Sequence, residues 1–452
     1  MKNIFLTTAS ALLLLASCQK QMSPVPEELP AQQDQALTIN TPAGGNFDAV
    51  PNELIVKFKK GIPEHAKGNA FGRVKGKVKE KIRTKLMERF NEDEIYLITT
   101  SENAKDALAK IKGAEIEYAE PNYIMRHNAV ANDPYISNAA MWGLSNSTYG
   151  INAQTAWANN KLGSSNVIIG VIDEGTFIYH PDIQPNVWTH PTERFDGIDN
   201  DGNGYIDDVY GWDFSQNDNT VYDGPEDDHG THVAGTIGAM GNNSVGVAGV
   251  NWRVTMIPVK FLGANGGSLS NAIKAIDYIT DLKLRLKVNI PATNNSWSGG
   301  GYSQALRDAI TRAGNANILF VAAAGNASNN NDATPTYPAS YANANVISVA
   351  AITSTGALAS FSNYGSRTVH IGAPGANILS TVPTSTGGAG YASYNGTSMA
   401  TPHVTGAVAL YVSTRPGLSA AQIKSAILNN GVYTASLSGK TTTAKRLNVS
   451  KF

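Results

Sequence analysis

Val167-Ile168-Ile169-Gly170-Val171-Ile172-Asp173-Glu174-Gly175 is an unbroken apolar run closed by two carboxylates and a glycine. No polar residue alternates through it, so the strand it predicts must be covered on both faces, as in a parallel sheet packed between helices. Ile318–Ala324 repeats the pattern. Apolar residues recur at helical spacing at Ala272, Ile276 and Ile279, at Leu306, Ile310 and Ala313, and at Ala400, Val404, Ala407, Val408 and Tyr411. Strands alternating with helices predict an α/β fold with a doubly covered, mostly parallel sheet over residues 133–452.

Upstream the texture changes. Leu54-Ile55-Val56 with Phe58, and Glu94–Ile98, read as strands; Ala104–Lys112 reads as a short helix carrying Leu108 and Ile111, followed by Ile116-Glu117-Tyr118. Residues 50–128 are therefore expected to form a small separate α+β unit. Between Lys57 and Arg89 stand twelve Lys or Arg against three Glu, which is either a solvated basic surface or an attraction to an acidic face of the domain that follows. Residues 19–49, rich in Pro, Gln, Glu and Ala without apolar periodicity, read as a flexible tether.

Residues 1–18 carry Lys2, an apolar stretch from Ile4 to Ala16 and small residues before Cys18. That is the pattern of an export signal, and the apolar stretch is too short for a membrane span. Leu15-Ala16-Ser17-Cys18 resembles the bacterial lipobox, which implies cleavage before Cys18 and a lipid on its sulfur; ordinary secretion with a chance cysteine is the alternative. Cys18 is the only cysteine, so no intramolecular disulfide can brace an exported chain. A formal net charge of -1 gives no reason to expect a nucleic-acid partner.

Three segments place catalytic residue types at the edges of apolar elements. In the first, Asp173 ends a buried strand and Gly175 permits a sharp exit; strand-end Asp residues are common, so alone it says little. In the second, His229-Gly230-Thr231-His232-Val233-Ala234-Gly235-Thr236, a His opens a helix of small residues. Its paired His lack a carboxylate at the spacing a zinc site needs. In the third, Asn395-Gly396-Thr397-Ser398-Met399-Ala400-Thr401-Pro402-His403-Val404, Ser398 begins the most apolar helix of the chain. It is either a helix cap or a nucleophile beside backbone N–H groups able to stabilise an oxyanion.

Together, and in the order Asp, His, Ser, these segments resemble the subtilase family from roughly Asp133 to the C-terminus. The resemblance implies a secreted serine endopeptidase with Ser398 as nucleophile, His229 as general base and then acid, and Asp173 orienting the imidazole, while His232 is structural. Ala322-Ala323-Ala324-Gly325-Asn326 resembles the family's oxyanion segment and nominates Asn326; an Asn after Gly is otherwise a turn residue. The resemblance further implies that substrate peptide pairs with Ser296, Trp297, Ser298 and Gly299 on one edge and Gly266 and Gly267 on the other. Ala323, Ala324 and Gly325 would line the pocket for the residue before the scissile bond. Ser298 and Glu174 stand where many relatives have Gly and Thr or Ser, which puts the pocket's shape and the local proton affinities in question.

Asp199, Asp201, Asn203, Asp207 and Asp208 alternate with glycines, as an oxygen-ligated Ca²⁺ requires. Position twelve of that loop is Tyr210, so it is not an EF-hand, and a plain loop of turn formers is the alternative. Asp182 and Asn243 match segments that hold calcium in subtilisins, with Asp133 completing the set. Ions bound only by the folded chain would replace the missing disulfides.

Residues 50–128, including Tyr118-Ala119-Glu120-Pro121-Asn122-Tyr123, resemble the family's inhibitory propeptide, which also serves as an intramolecular chaperone. Self-cleavage is expected between Arg126 and Asn132. A lipid on Cys18 would then stay with the propeptide, and a monomeric mature enzyme acting on polypeptides would leave the membrane. A narrow-specificity processing protease and an inactive calcium-stabilised binding lipoprotein are the competing readings. A nucleotide-dependent dehydrogenase fails because no glycine fingerprint follows the first strand.

Overall fold

The computed structural model describes residues 49–123, 131–137, 140–263 and 265–452. The leader with Cys18, the tether up to residue 48 and residues 124–130, where the expected cleavage falls, lie outside them. The described residues form two compact units, one on each side of that junction. No helix among them is long and apolar enough to cross a membrane.

The first unit contains β1 (Ala49–Phe58), α1 (Glu64–Arg73), β2 (Lys77–Ile82), α2 (Lys85–Arg89), β3 (Ile95–Thr99), α3 (Ala104–Lys110) and β4 (Ile116–Tyr123). Its sheet is antiparallel in the order β2-β3-β1-β4, the ferredoxin-like arrangement of a βαββαβ chain. Leu54, Val56 and Phe58 of β1 alternate inward onto Phe71, Tyr96, Ile98 and Ile116. Sequence reading passed over α1 and β2. Lys-Val-Lys-Glu-Lys-Ile has no apolar face, and it is a strand because it pairs with β3 at the sheet's edge, where lysines discourage further pairing. Several of the clustered basic residues are paired inside this unit: Lys57 with Glu117, Lys67 with Glu64 and Glu94, Arg73 with Glu115, and Lys79 with Glu53.

The second unit runs α4 (Pro134–Ser137), α5 (Ala153–Ala158), β5 (Gly163–Asp173), β6 (Trp212–Asp213), α6 (Asp228–Gly238), β7 (Arg253–Lys260), α7 (Leu269–Leu286), β8 (Ala292–Asn295) and α8 (Gln304–Asn315). It continues through β9 (Leu319–Ala323), β10 (Val346–Ile352), β11 (Ile371–Pro374), β12 (Ile378–Pro383), β13 (Ala389–Tyr394), α9 (Thr397–Ser413), α10 (Ala420–Asn430), β14 (Val432–Tyr433) and β15 (Lys445–Arg446). The main sheet has the order β14-β15-β11-β10-β9-β8-β5-β7-β6, and only β14 with β15 is antiparallel.

Val167, Ile169 and Val171 of β5 face a core shared with Val233 and Ile237 of α6, Val404 and Val408 of α9 and Ile423 of α10. Ile168 and Ile172 face the other core, with Ile276 and Ile279 of α7 and Leu306 and Ile310 of α8. Both sides are buried, which is why the run shows no alternation. From β5 the chain reaches β7 on one side and β8 on the other, so the sheet's switch point lies at the end of β5 that carries Asp173. Open α/β sheets bind their ligands in the crevice at such a point.

Candidate active site

Asp173 is the last residue of β5, His229 lies in the first turn of α6, and Ser398 is the second residue of α9. Helix α6 can approach the exit of β5 because its third residue is Gly230; a β-carbon there would run into the Gly175 carbonyl oxygen. The approach brings His229 Nδ1 to 2.8 Å from Asp173 Oδ1. A nitrogen facing a carboxylate at that distance carries the proton, which leaves Nε2 for the opposite side of the ring. Asp173 is 1% exposed, and its Oδ2 has no hydrogen-bond partner. Burial opposes charge on His229, but the Asp173 carboxylate outweighs it, with Glu174 adding to the effect, and the imidazole is raised to about 9.

Ser398 is held by a consequence of Pro402. Proline has no N–H, so in α9 the carbonyl four residues earlier, that of Ser398, loses its helical donor. The Ser296 hydroxyl supplies the missing hydrogen bond at 2.8 Å, and the Ser398 hydroxyl donates back to the Ser296 carbonyl at 3.0 Å. While His229 is charged, both its ring nitrogens are donors and neither can accept the Ser398 proton. Loss of that charge makes Nε2 an acceptor.

Asn326 accepts the Thr397 N–H at 2.8 Å and the Thr397 hydroxyl at 2.9 Å, both on Oδ1. Those two donors fix the amide, so Nδ2 points the other way; it lies 3.5 Å from where a Gly396 β-carbon would stand. The preceding Gly325 has φ +109°, and a β-carbon there would collide with the Asn363 amide. Its N–H donates to the Thr397 hydroxyl at 3.1 Å. In the first turn of α9 the Thr397 N–H is committed to Asn326 and those of Met399 and Ala400 to the Gly396 carbonyl, which leaves Asn326 Nδ2 and the Ser398 N–H as the donors beside the Ser398 hydroxyl.

Ser296 is buried, Trp297 packs edge-on against Phe261, and Ser298 and Gly299 are exposed where the chain leaves β8. Gly266 and Gly267 are exposed in the turn after β7. The two segments thus leave the strands that flank β5, at the end where Asp173 sits. Ala323, Ala324 and Gly325 are buried, and the Ala324 methyl packs with Ala350 and Val369. His232 is buried, lies 2.8 Å from the Ile378 carbonyl through Nε2 and stacks on Tyr394. Burial lowers it to about 4.

Two contributors escaped the sequence reading. Glu174, noted only as a departure, accepts the His229 N–H on Oε1 at 2.6 Å; burial first and the neighbouring Asp173 charge second raise its carboxyl to about 7. Lys260, buried at the end of β7 and in register with Asp173, donates to Asp227 Oδ1 at 2.5 Å and to the Glu174 carbonyl. It ties together the segments that enter α6 and leave β5. A lysine closing a buried strand was the available signal.

Of the residues named for calcium, Asp133, Asp182 and Asn243 come together. Asn242 and Asn243 N–H groups donate to Asp133, and Asn243 Nδ2 donates to Asp182 at 2.9 Å. Asp182 also accepts the Val247 N–H and the Tyr391 hydroxyl. In the loop, Asp199 accepts the amides of Gly202, Asn203 and Gly204, and Asp207 those of Asp196 and Gly197. Asn203 Nδ2 donates to Asp208. Asp201 accepts the Asn203 N–H on Oδ1 at 3.0 Å and, among the described residues, also joins His190 and Glu193 in a group whose potential ligand atoms lie within 4.8 Å of one another.

The profile described as Subtilase family matches residues 164–449, and that described as Fervidolysin N-terminal prodomain matches residues 37–122. A thermophilic serine proteinase of Bacillus sp. (strain AK1) is 35% identical over 367 residues, which cover 80% of this chain and 78% of that protein. An extracellular protease of Xanthomonas campestris pv. campestris is 36% identical over 334 residues, covering 70% of this chain but only 55% of its own length. Among solved structures, a protease from Pseudoalteromonas arctica PAMC 21717 superposes with a TM-score of 0.58 at 28% identity, covering 71% of this chain and 98% of the other.

Proposed function

The chain belongs to the subtilase family and carries a fervidolysin-type prodomain, and on that premise we propose that it is a secreted, self-processing serine endopeptidase. The observation that carries the reading is the 2.8 Å contact of His229 Nδ1 with Asp173 Oδ1 at the switch point of the sheet.

Neutral His229 takes the Ser398 proton on Nε2 as the hydroxyl attacks the scissile carbonyl, and Asp173 stabilises the imidazolium. Asn326 Nδ2 and the Ser398 N–H meet the negative charge that develops on the carbonyl oxygen. His229 then returns the proton to the leaving amine, and water releases the acyl group from Ser398 by the same steps. Substrate lies extended between Ser296–Gly299 and Gly266–Gly267, and Ala323, Ala324 and Gly325 border the pocket for the residue before the scissile bond. A fluorophosphonate probe tests the reading: a covalent adduct on the peptide containing Ser398, abolished by prior heat denaturation, is expected. An adduct elsewhere, or none, overturns it.

Maturation by cleavage between Arg126 and Asn132 is supported by the prodomain match ending at residue 122. If Cys18 is lipidated, the lipid leaves with the propeptide. The relatives named as extracellular proteases support export. Structural calcium fits Asp133, Asp182 and Asn243, where two buried carboxylates share one cluster; an ion bound there would stabilise the folded chain and takes no part in the proton transfers.

Glu174 gives the enzyme a distinctive pH profile. Only neutral His229 is a base, so kcat/KM is expected to rise with pH through the raised imidazole value of about 9. Asp173, Glu174 and Asp228 all hold the imidazolium in place. Glu174→Gln keeps the acceptor for the His229 N–H but removes one of those charges, which lowers the imidazole pKa. The acid limb of the kcat/KM profile should therefore move to lower pH, by about one unit for a charge interaction of ~1.4 kcal/mol. A limb that stays in place or moves upward contradicts the coupling.

A further inference from the structure

We propose that the cleft beside the paired strands β14 and β15 binds a carboxylate carried on an apolar group, and that Arg446 receives the carboxylate. The cleft has a volume of about 400 Å³, and its lining includes Tyr149, Gly356, Val432, Tyr433, Ser436 and Arg446. In the sheet, β15 stands five strand spacings of about 4.8 Å, roughly 24 Å, from β5 and Asp173. It is a second site, not an extension of the first.

Arg446 is paired through its backbone with Gly372 of β11 on one side and Val432 of β14 on the other, and it is 7% exposed. A guanidinium offers five N–H donors and does not lose its charge. Nη2 donates to the Thr148 carbonyl, whereas Nη1 is buried with no hydrogen-bond partner. The neighbour that acts on its charge is Tyr149, whose ring centroid lies 5.9 Å from the guanidinium carbon; among the described residues no carboxylate does so. The enclosed Lys260 and the largely buried Arg285, by contrast, each face an aspartate. Holding the Thr148 carbonyl needs one donor and no charge, and an uncompensated buried charge is costly. An anion in the cleft supplies the missing counter-charge, the guanidinium turning Nη1 toward it.

The walls select the anion. The Tyr149 ring lies against Gly356, where φ is +78° and a β-carbon would collide with that ring. The Ser436 hydroxyl donates to the Gly356 carbonyl, which fixes the turn after β10 to the chain after β14. Tyr433 is 64% exposed and Val432 40%, so the edge is apolar, and no second cation lines the cleft. One guanidinium balances one carboxylate and meets it in two parallel hydrogen bonds, whereas a phosphate group carries a charge of about -1.5 to -2. An apolar group behind the carboxylate would cover Tyr433 and Val432. A free apolar acid and the C-terminus of a peptide ending in an apolar residue share this chemistry.

The test uses the full chain with Ser398→Ala, so that neither self-digestion nor the catalytic reading enters. Saturation-transfer NMR titration with N-acetyl-phenylalanine is expected to show binding that its uncharged amide lacks and that Arg446→Gln weakens by roughly tenfold or more. Without the acid, Arg446→Gln should melt at or above its parent, because a buried uncompensated charge has gone. Should that variant fail to fold, Tyr433→Ser, at an exposed position, carries the test: it should weaken N-acetyl-phenylalanine severalfold and leave acetate unchanged. A peptide ending in phenylalanine that competes with the acid identifies chain termini as the source, and one that does not compete identifies free acids; either supports the site. Equal binding by Arg446→Gln, equal binding of acid and amide, or tighter binding of inorganic phosphate than of the acid overturns the proposal.

Discussion

Ser398→Ala is expected to lower kcat/KM on a peptide substrate by about a millionfold, the size known for loss of the nucleophile in subtilisin, a member of the same family, and borrowed from it. The residual rate comes from the donors beside position 398, which the substitution leaves in place. The same variant should remain at full length when purified, whereas the parent loses everything up to a point between Arg126 and Asn132; intact mass distinguishes them. The substitution removes the hydrogen bond from the Ser398 hydroxyl to the Ser296 carbonyl, and Ser296 still caps the carbonyl freed by Pro402. An inactive but well-folded product is therefore expected. A processed, active Ser398→Ala chain would assign the chemistry to another residue.

Asn326→Ala is expected to reduce kcat by about a hundred- to a thousandfold with little change in KM, the range that the handling of one oxyanion donor commands in subtilisin. The geometry explains why the loss should fall on kcat. Oδ1 is committed to Thr397, so the donor that remains is Nδ2, aimed at the space beside Ser398 where charge exists only during the reaction. Asn326→Asp sharpens the test: it keeps the acceptor for Thr397 but replaces the donor by a negative charge, and it should be at least as damaging as alanine. Steady-state kinetics of the two variants decide the matter. A rise in KM at unchanged kcat would make Asn326 a ground-state binding residue instead.

How much of this was legible in advance depends on how far apart in the chain the interacting groups stand. Val167–Ile172 declared a doubly covered strand because burial on both faces removes all alternation, and that property belongs to the segment itself. Asp173, His229 and Ser398 were legible as residue types at element boundaries, each inside a short motif. β2 was not, since its edge position and its pairing with β3 create the strand that its lysines do not announce. Glu174 could be flagged as unusual, but its hydrogen bond to an amide 55 positions later could not be read from it.

The acidic loop separates the two kinds of information. Its alternating Asp, Asn and Gly fixed a tight, oxygen-rich turn, because carboxylates and amides that accept neighbouring backbone N–H groups act over two to five residues. Which carboxylates turn inward was decided by packing: Tyr278 and Arg285 of α7 engage Asp208 and Asp201, while Glu193 is enclosed without a partner. By itself the sequence determined the α/β class, the two-unit division and the residue types of the candidate triad, since these follow from local periodicity and short motifs. Only the tertiary structure decided the Asp173–His229 contact, the clamp of Ser296 on the carbonyl freed by Pro402, and the gathering of His190, Glu193 and Asp201. Each of these depends on the direction a side chain takes across a packed interface between distant segments, and no local pattern encodes that direction.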